Sequence, residues 1–356
     1  MARIVNPLFT VLFLATSSVI LFNMKNFYSN SFFNGHYQSA SIEIPKGPTA
    51  GMNQNNVTQY TTIKISVPLD TQQQRRSHLL KTCEGLNARK HPENIDGLSA
   101  DTLKKMNNIF VIDKFKTLYC YIPKAGCTTM KRMLLVLTGH INSTNICHEE
   151  VHALASKHFP SLGKFSQEDA KEKIKRYRKL IFVREPFSRI LSAYRDKLES
   201  KGPFKKNFLP RMINRDVRSM ATGNEDLNIT FGNFIDYVSN PWNTLADPPE
   251  EHWREMFRLC YPCRVPYDFI GRFETFNEDV REGLQKITQD VDIEIPASSN
   301  PTKSGDLDTL VKYYLQLSST QLESLYKRLA TDIELFNYRV PSFLSDRLNS
   351  SLHNGL

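Results

Sequence analysis

The sequence predicts an α/β fold with a P-loop-like layout: a central parallel sheet carrying helices on both faces. Three observations lead there. Short apolar strand signals alternate with helical stretches from Phe110 to Asp332, which is the pattern of crossover-connected strands. One junction, YCYIPKAGCTTMK at 119–131, passes from a β-prone run through a tight loop into a helix. A second, LIFVREPFSRILSAYRDKLES at 180–200, passes from a buried strand into a helix with proline at its first position.

The elements follow in order. Residues 1–6 form a short tail. Residues 7–22, PLFTVLFLATSSVILF, predict a transmembrane signal anchor, with no charge between Arg3 and Lys25. The run is at the short end for a span, which needs roughly 17–25 residues; such lengths suit the thinner membranes of the early secretory pathway. A cleaved signal peptide is the alternative, but no clean small-x-small site follows. Arg3 keeps the amino end cytoplasmic, against a weaker pull from Lys25. The prediction is a single-pass type II Golgi membrane protein with its bulk in the lumen. Residues 23–71, rich in Asn, Ser, Gln, Gly and Thr in their first forty, predict a flexible stem, and residues 72–356 the catalytic domain. Within it, strands are expected at 110–113, 118–122, 180–183 and 268–274. Helices are expected at 128–138, 166–179, 186–200, 277–288 and 319–332.

Composition narrows the partners. The 356 residues carry a net charge of +9, with 40% hydrophobic residues. That excludes a chain disordered throughout and points to anionic partners. Sequons at Asn56, Asn142, Asn228 and Asn349 agree with a lumenal chain, which sets nucleic acid aside and leaves acidic glycans. Six cysteines, Cys83, Cys120, Cys127, Cys147, Cys260 and Cys263, suggest disulfides in an oxidising lumen, with fifteen possible connectivities. Cys260-x-x-Cys263 is also compatible with half a zinc site or a redox pair, but no second C-x-x-C accompanies it.

The first junction offers loop amides and a helix N-terminus, the seat of an anion. It lacks the G-x-x-x-x-G-K-[ST] signature of nucleoside triphosphate sites. In the second junction Arg184 stands at the strand's carboxyl end, where open α/β sheets bind ligands. Ser188 and Ser192 share a helix face below it. Arginine offers a fork matched to phosphate, and serine a hydroxyl donor.

Together the segments resemble the lumenal carbohydrate sulfotransferases, in the branch with chondroitin and dermatan 4-O-sulfotransferases and the natural killer epitope sulfotransferase. IPKAGCTTMKRMLLVL resembles that family's 5′-phosphosulfate loop and FVREPFSRILSAYRDKLES its 3′-phosphate segment. EEHWREMFRLCYPCRVPYDFIGRFET (250–275) and IELFNYRVP (333–341) resemble its central and closing regions. The resemblance covers roughly residues 75–342. It implies the sulfotransferase fold, 3′-phosphoadenosine 5′-phosphosulfate as sulfate donor with no metal required, and an anionic glycosaminoglycan or glycoprotein glycan as acceptor. It assigns donor contacts to Pro123, Lys124, Ala125, Gly126, Cys127, Thr128 and Thr129, and to Arg184, Glu185, Pro186, Phe187, Ser188, Arg189, Ile190, Leu191 and Ser192. The chain departs from the family at Thr129-Met130, where Asn-Trp is frequent, which puts adenine-side or helix packing in doubt.

Sulfuryl transfer needs an in-line acceptor hydroxyl, a base and positive charge at the leaving oxygen, so positioning and electrostatics dominate. Lys124 is the expected stabiliser of the leaving oxygen. Cys127 is a small residue allowing close backbone approach rather than a nucleophile. The expected base is His152, by its place after the phosphate loop in the family, with His148 and His252 as alternatives. His148-Glu149-Glu150-Val151-His152 also fits the H-E-x-x-H zinc-protease pattern, but no third ligand is evident. The basic runs 171–179 and 201–206, with Arg189 and Arg195, are candidate acceptor contacts. The resemblance makes position 4 of N-acetylgalactosamine in chondroitin or dermatan the expected acceptor; the rival readings are another glycan such as terminal glucuronic acid or terminal N-acetylgalactosamine, a silent glycan-binding relative, and a nucleotide kinase.

Overall fold

The computed structural model describes residues 37–45, 60–68, 70–86, 95–199, 229–240, 250–288, 294–296 and 302–353. The expected anchor, the run 201–206 and the sequons at Asn56 and Asn228 lie outside these. Among the described residues no helix is long and apolar enough to cross a membrane.

Within the stretch expected as a stem, β1 (Tyr37–Pro45) and β2 (Tyr60–Pro68) form an antiparallel pair. α1 (Gln72–Gly85) opens on a capping box: the Gln74 amide donates to Thr71 Oγ1, and the Thr71 amide to Gln74 Oε1. The chain continues through α2 (Ala100–Lys104), β3 (Ile109–Ile112), β4 (Thr117–Cys120), α3 (Cys127–Thr138), α4 (His148–His158), α5 (Gln167–Arg176) and β5 (Arg178–Val183). After α6 (Pro186–Tyr194) comes a π-helical turn, Arg195–Glu199. Then follow α7 (Phe231–Ser239), α8 (Met256–Cys260), β6 (Phe269–Arg272), α9 (Phe276–Gln285), α10 (Leu307–Tyr314), α11 (Ser319–Leu335) and α12 (Ser342–His353).

The central sheet has the order β3-β4-β5-β6. β4, β5 and β6 are parallel, as expected, but β3 runs antiparallel to β4. Only residues 113–116 separate those two strands, too few for a crossover. A short 3-10 turn and Lys116 at φ 47° reverse the chain there. The expected helix 166–179 ends at Arg176, because Arg178 and Lys179 already pair in β5.

Strand alternation gives the sheet two apolar faces. Val111, Leu118, Ile181, Val183 and Ile270 pack with residues of α1, α5 and α8. Phe110, Tyr119, Leu180, Phe182 and Phe269 pack with α3, α4 and α9. Helices therefore cover both faces, as predicted. A third cluster joins α6 to α7, α10, α11 and α12. Cys260 and Cys263 are not partners of each other. Cys83 pairs with Cys263 and Cys120 with Cys260, across 180 and 140 positions. In the chain-entropy picture each such long closure stabilises by on the order of 4–5 kcal/mol. The bonds tie α1 and β4 to the segment leading into β6. Cys127 and Cys147 remain free thiols.

Candidate active site

β4 and β5 are parallel neighbours, so the loops leaving their carboxyl ends meet. After β4 the chain turns sharply: Lys124 has φ 70° and Gly126 φ 81°. A Cβ on Gly126 would lie 2.2 Å from Phe276 Cε2, so both conformation and space demand glycine there. α3 then starts at Cys127 with no side-chain cap. Its first amides lack intrahelical acceptors and carry the positive end of the helix dipole.

After β5, Glu185 caps α6 through its own side chain. Its carboxylate accepts from the amides of Phe187 at 2.9 Å and Ser188 at 2.6 Å. Burial pushes that carboxyl up to about 7, although both amides oppose the shift. Arg184 donates to the carbonyl of Lys124 at 2.9 Å and to Ser304 Oγ at 2.9 Å. Its guanidinium stacks on Phe273, 4.1 Å from the ring centroid. Ser304 Oγ lies 2.8 Å from Thr302 Oγ1, which lies 3.0 Å from Ser192 Oγ. Arg184 and Ser192 thus converge, through two hydroxyls that sequence reasoning missed. Arg184 Nε is buried without a hydrogen-bond partner, an orphaned donor of the kind that asks for an anion.

Lys124 points toward the π-helical turn. Its Nζ is 3.2 Å from Asp196 Oδ2, and Lys197 Nζ is 3.1 Å from the same oxygen. Burial lowers the Lys124 ammonium, partly offset by Asp196. Burial would raise Asp196, yet Lys124 and Lys197 hold its carboxyl below the usual value. π-helical turns often mark functional sites, and this one aims a carboxylate at the loop lysine.

Three histidines border the loop. His152 Nε2 is 3.2 Å from Thr128 Oγ1, and its Nδ1 is 3.2 Å from Lys131 Nζ. Burial, then the charges of Lys131, His148, Lys197 and His252, push it down to about 3. The His148 and His152 ring centroids are 4.5 Å apart. His252 Nδ1 is 2.5 Å from Glu250 Oε1. Buried Arg189 ties residues 251–254 to the loop after β4, donating to the carbonyls of Pro123 at 3.0 Å, Arg254 at 2.8 Å and Glu251 at 3.2 Å.

The comparisons with known proteins fit this geometry. The sulfotransferase family model matches residues 107–339. This chain belongs to the sulfotransferase family. Human carbohydrate sulfotransferase 9 is 32% identical over 279 residues, covering 76% of this chain and 61% of its own length. Mouse carbohydrate sulfotransferase 12 is 32% identical, covering 67% and 62%. Mouse carbohydrate sulfotransferase 11 is 31% identical, covering 76% of this chain and 77% of its own. The chain thus spans about three fifths of the first two relatives. No solved structure matches it.

Not every expected site residue of this chain reaches the cleft. Phe187, Ile190 and Leu191 are fully buried in the helical core and set the position of α6 instead of lining a ligand. Arg189 is spent on backbone carbonyls, so it builds the scaffold and is not available to an acceptor. Arg195 donates to the carbonyl of Thr302 and pairs with Glu199 at 3.1 Å. The run 171–179 lies at the amino end of β5, at the opposite end of the sheet from the loop after β4. Among the remaining sequons, Asn142 is exposed and Asn349 lies within α12. Thr302, Ser304, Asp196, Lys131 and Glu250 were missed. The only sequence signal for the first two is a hydroxyl pair in PTKSGD.

Proposed function

We propose that this chain moves a sulfuryl group from 3′-phosphoadenosine 5′-phosphosulfate to a hydroxyl of an anionic glycan. The favoured acceptor is position 4 of N-acetylgalactosamine in chondroitin or dermatan. The observation that carries the reading is the bond from Arg184 to the Lys124 carbonyl. It joins the two segments read as phosphate-facing at one sheet end, on an arginine with one orphaned nitrogen that leads through Ser304 and Thr302 to Ser192. The donor set suits a bisphosphorylated adenosine. The loop from Pro123 to Thr129 and the α3 amides would take the 5′ end; Arg184, Ser192, Thr302 and Ser304 the 3′-phosphate.

The donor supplies the sulfuryl group. As the acceptor oxygen bonds to sulfur, the bond from sulfur to the bridging oxygen breaks and leaves its electron pair there. The Lys124 ammonium balances that charge in a dry site, where it acts most strongly. The acceptor proton needs a base, and tautomers separate the candidates. The Lys131 ammonium donates to Nδ1 of His152, which puts the proton on Nε2, donated to Thr128. This His152 holds Thr128 but has no lone pair to offer on that side. Glu250 accepts from Nδ1 of His252, which leaves the lone pair on Nε2, the tautomer a base requires. We therefore assign the base to His252, with Glu250 orienting it and His152 positioning Thr128.

The two disulfides support a lumenal site, since such bonds persist in oxidising compartments. A Golgi location with residues 7–22 as a type II anchor and residues 23–71 as a stem completes the reading. The test is sulfate transfer by the full chain, with labelled donor and desulfated chondroitin, dermatan, heparosan and terminal-glucuronate or terminal-N-acetylgalactosamine oligosaccharides. Transfer to chondroitin or dermatan is expected. His252→Ala should cut kcat with donor binding kept, and His152→Ala should chiefly raise the donor KM. Donor binding without transfer to any glycan would leave a silent binding relative. No donor binding would overturn both phosphate segments.

A further inference from the structure

The other end of the sheet carries a site that the chemistry above does not use. A groove of about 580 Å³ opens at the amino end of β5, lined by Arg76, Lys175, Arg176, Arg178, Lys179 and Lys286. Asp268 is its one acidic lining residue. The cations come from α1, α5, β5 and the end of α9, so four separate elements converge on one basic concavity.

Their pairing decides what the groove can do. Lys175 pairs with Asp96 at 2.7 Å, Arg176 with Glu172, and Lys179 with Asp268 at 3.2 Å. Arg76, Arg178 and Lys286 are exposed and form no ion pair with a described residue. Three cations thus stand uncompensated around the groove. Asp268 is itself committed, accepting from the Lys179 amide at 2.9 Å. A second hollow of about 330 Å³ shares Arg76 and Asp268 and runs past Leu80 and Pro262. Because they share two lining residues the hollows adjoin, and together they form a track lined by the cations in the first and by Leu80, Pro262 and Pro266 in the second.

This track cannot serve the reacting atoms. Arg178 starts β5 and Arg184 follows its end, so about 20 Å of strand separates them at roughly 3.3 Å per residue. We infer that the track is a distal exosite for an extended polyanion, a sulfated or uronate-bearing polysaccharide chain, held while another part of the same chain occupies the carboxyl-end cleft. Exposed cations contributed by four separate elements fit a polymer better than a small anion. The exposed charges give long-range, salt-screened attraction. Two linked contacts raise the effective concentration of the chain at the cleft. The inference depends on the proposed glycan sulfation only for the class of ligand.

The test is equilibrium binding of the full chain to fluorescein-labelled chondroitin sulfate chains. Wild type is compared with a variant carrying Arg76→Glu, Arg178→Glu and Lys286→Glu. All three side chains are exposed, and a thermal melt checks folding. A variant with Arg76→Gln and Lys286→Gln covers the case in which charge reversal disturbs the fold. We expect at least a tenfold loss of affinity in the triple variant, a smaller loss in the double variant and a shallower salt dependence in both. Affinity for adenosine 3′,5′-bisphosphate and transfer to a tetrasaccharide should not change. Unchanged chain affinity would overturn the exosite. So would capture of phosphatidylserine vesicles, in place of the glycan, by the same three cations. If chain binding falls as expected but no glycan is ever sulfated, the exosite stands and the proposed reaction falls. If sulfation occurs while chain affinity is unmoved, the reverse holds.

Discussion

The two ends of the sheet hold the same kind of charge in opposite physical states. At the carboxyl end Arg184 is 5% exposed and Arg189 1%, and every cation of the cleft is held by a fixed acceptor or carboxylate. At the amino end Arg76, Arg178 and Lys286 stand in water. A desolvated, oriented charge acts strongly on a transition state and weakly at a distance. A solvated charge does the reverse: it draws a polymer from afar, and salt weakens it. One strand, β5, thus separates the proposed chemistry from the inferred capture.

The strongest test of that division is Lys124→Ala. It should slow single-turnover sulfate transfer about 10²–10³-fold, the usual cost of removing one preorganised charge-stabilising group. The exosite reversals should leave the same rate unchanged. A loss within tenfold for Lys124→Ala would erase the distinction between the ends.

Gly126→Ala comes next and probes the loop rather than the charge. The alanine must keep φ near 81° and fit a methyl 2.2 Å from the Phe276 ring. A stability loss of about 2 kcal/mol is expected from strain and overpacking, read as a lower urea midpoint with an unchanged slope. An unchanged midpoint would mean that Phe276 swings away and that the loop is not built by this contact.

Much of the carboxyl end was legible because its parts are local. YCYIPKAGC shows strand, turn and helix within a dozen residues, and FVREPFS shows the proline-led start of α6. The amino end was visible only as charge. Residues 171–179 gave sign and density, but not that α5 stops at Arg176 and that β5 then carries Arg178 away from the cleft. The missed residues share one cause. Thr302 reaches Ser192 across 110 positions and Ser304 reaches Arg184 across 120, and no periodicity encodes such meetings. Glu250 lies two positions from His252, but only the packed structure brings its carboxylate to the imidazole Nδ1. The disulfide partners likewise depended on tertiary geometry, whereas antiparallel β3 followed from a connection too short for a crossover.

A pH prediction sharpens the view of the carboxyl end as a buried polar network. His152 is held down to about 3 in the folded chain, against about 6.5 unfolded. The unfolded state therefore binds the extra proton between those values, and stability rises with pH across that window. The contribution is fully present above about 6.5 and is lost as pH falls toward 3. His152→Gln should flatten the loss of urea stability between pH 6.5 and 4. An acid limb as steep as wild type would show that His152 is not held in this network.

The smallest expected effect, Asp196→Asn, separates binding from chemistry within the cleft. Asp196 is an anion facing the seat proposed for another anion, and it shares one carboxylate oxygen between Lys124 and Lys197. Removing its charge relieves repulsion toward a bisphosphate and frees both lysines to meet it. It also lets the Lys124 ammonium fall further below its usual value, because Asp196 is what supports it. Affinity for adenosine 3′,5′-bisphosphate should rise by up to about tenfold, equivalent to about 1.4 kcal/mol, while kcat drops a few-fold as Lys124 loses its fixed position. Calorimetric titration reads the first effect and saturating-donor turnover the second. A weaker bisphosphate with unchanged kcat would make Asp196 a prop for the π-helical turn. Opposite movements of the two would mark it as the residue that holds Lys124 ready before the donor arrives.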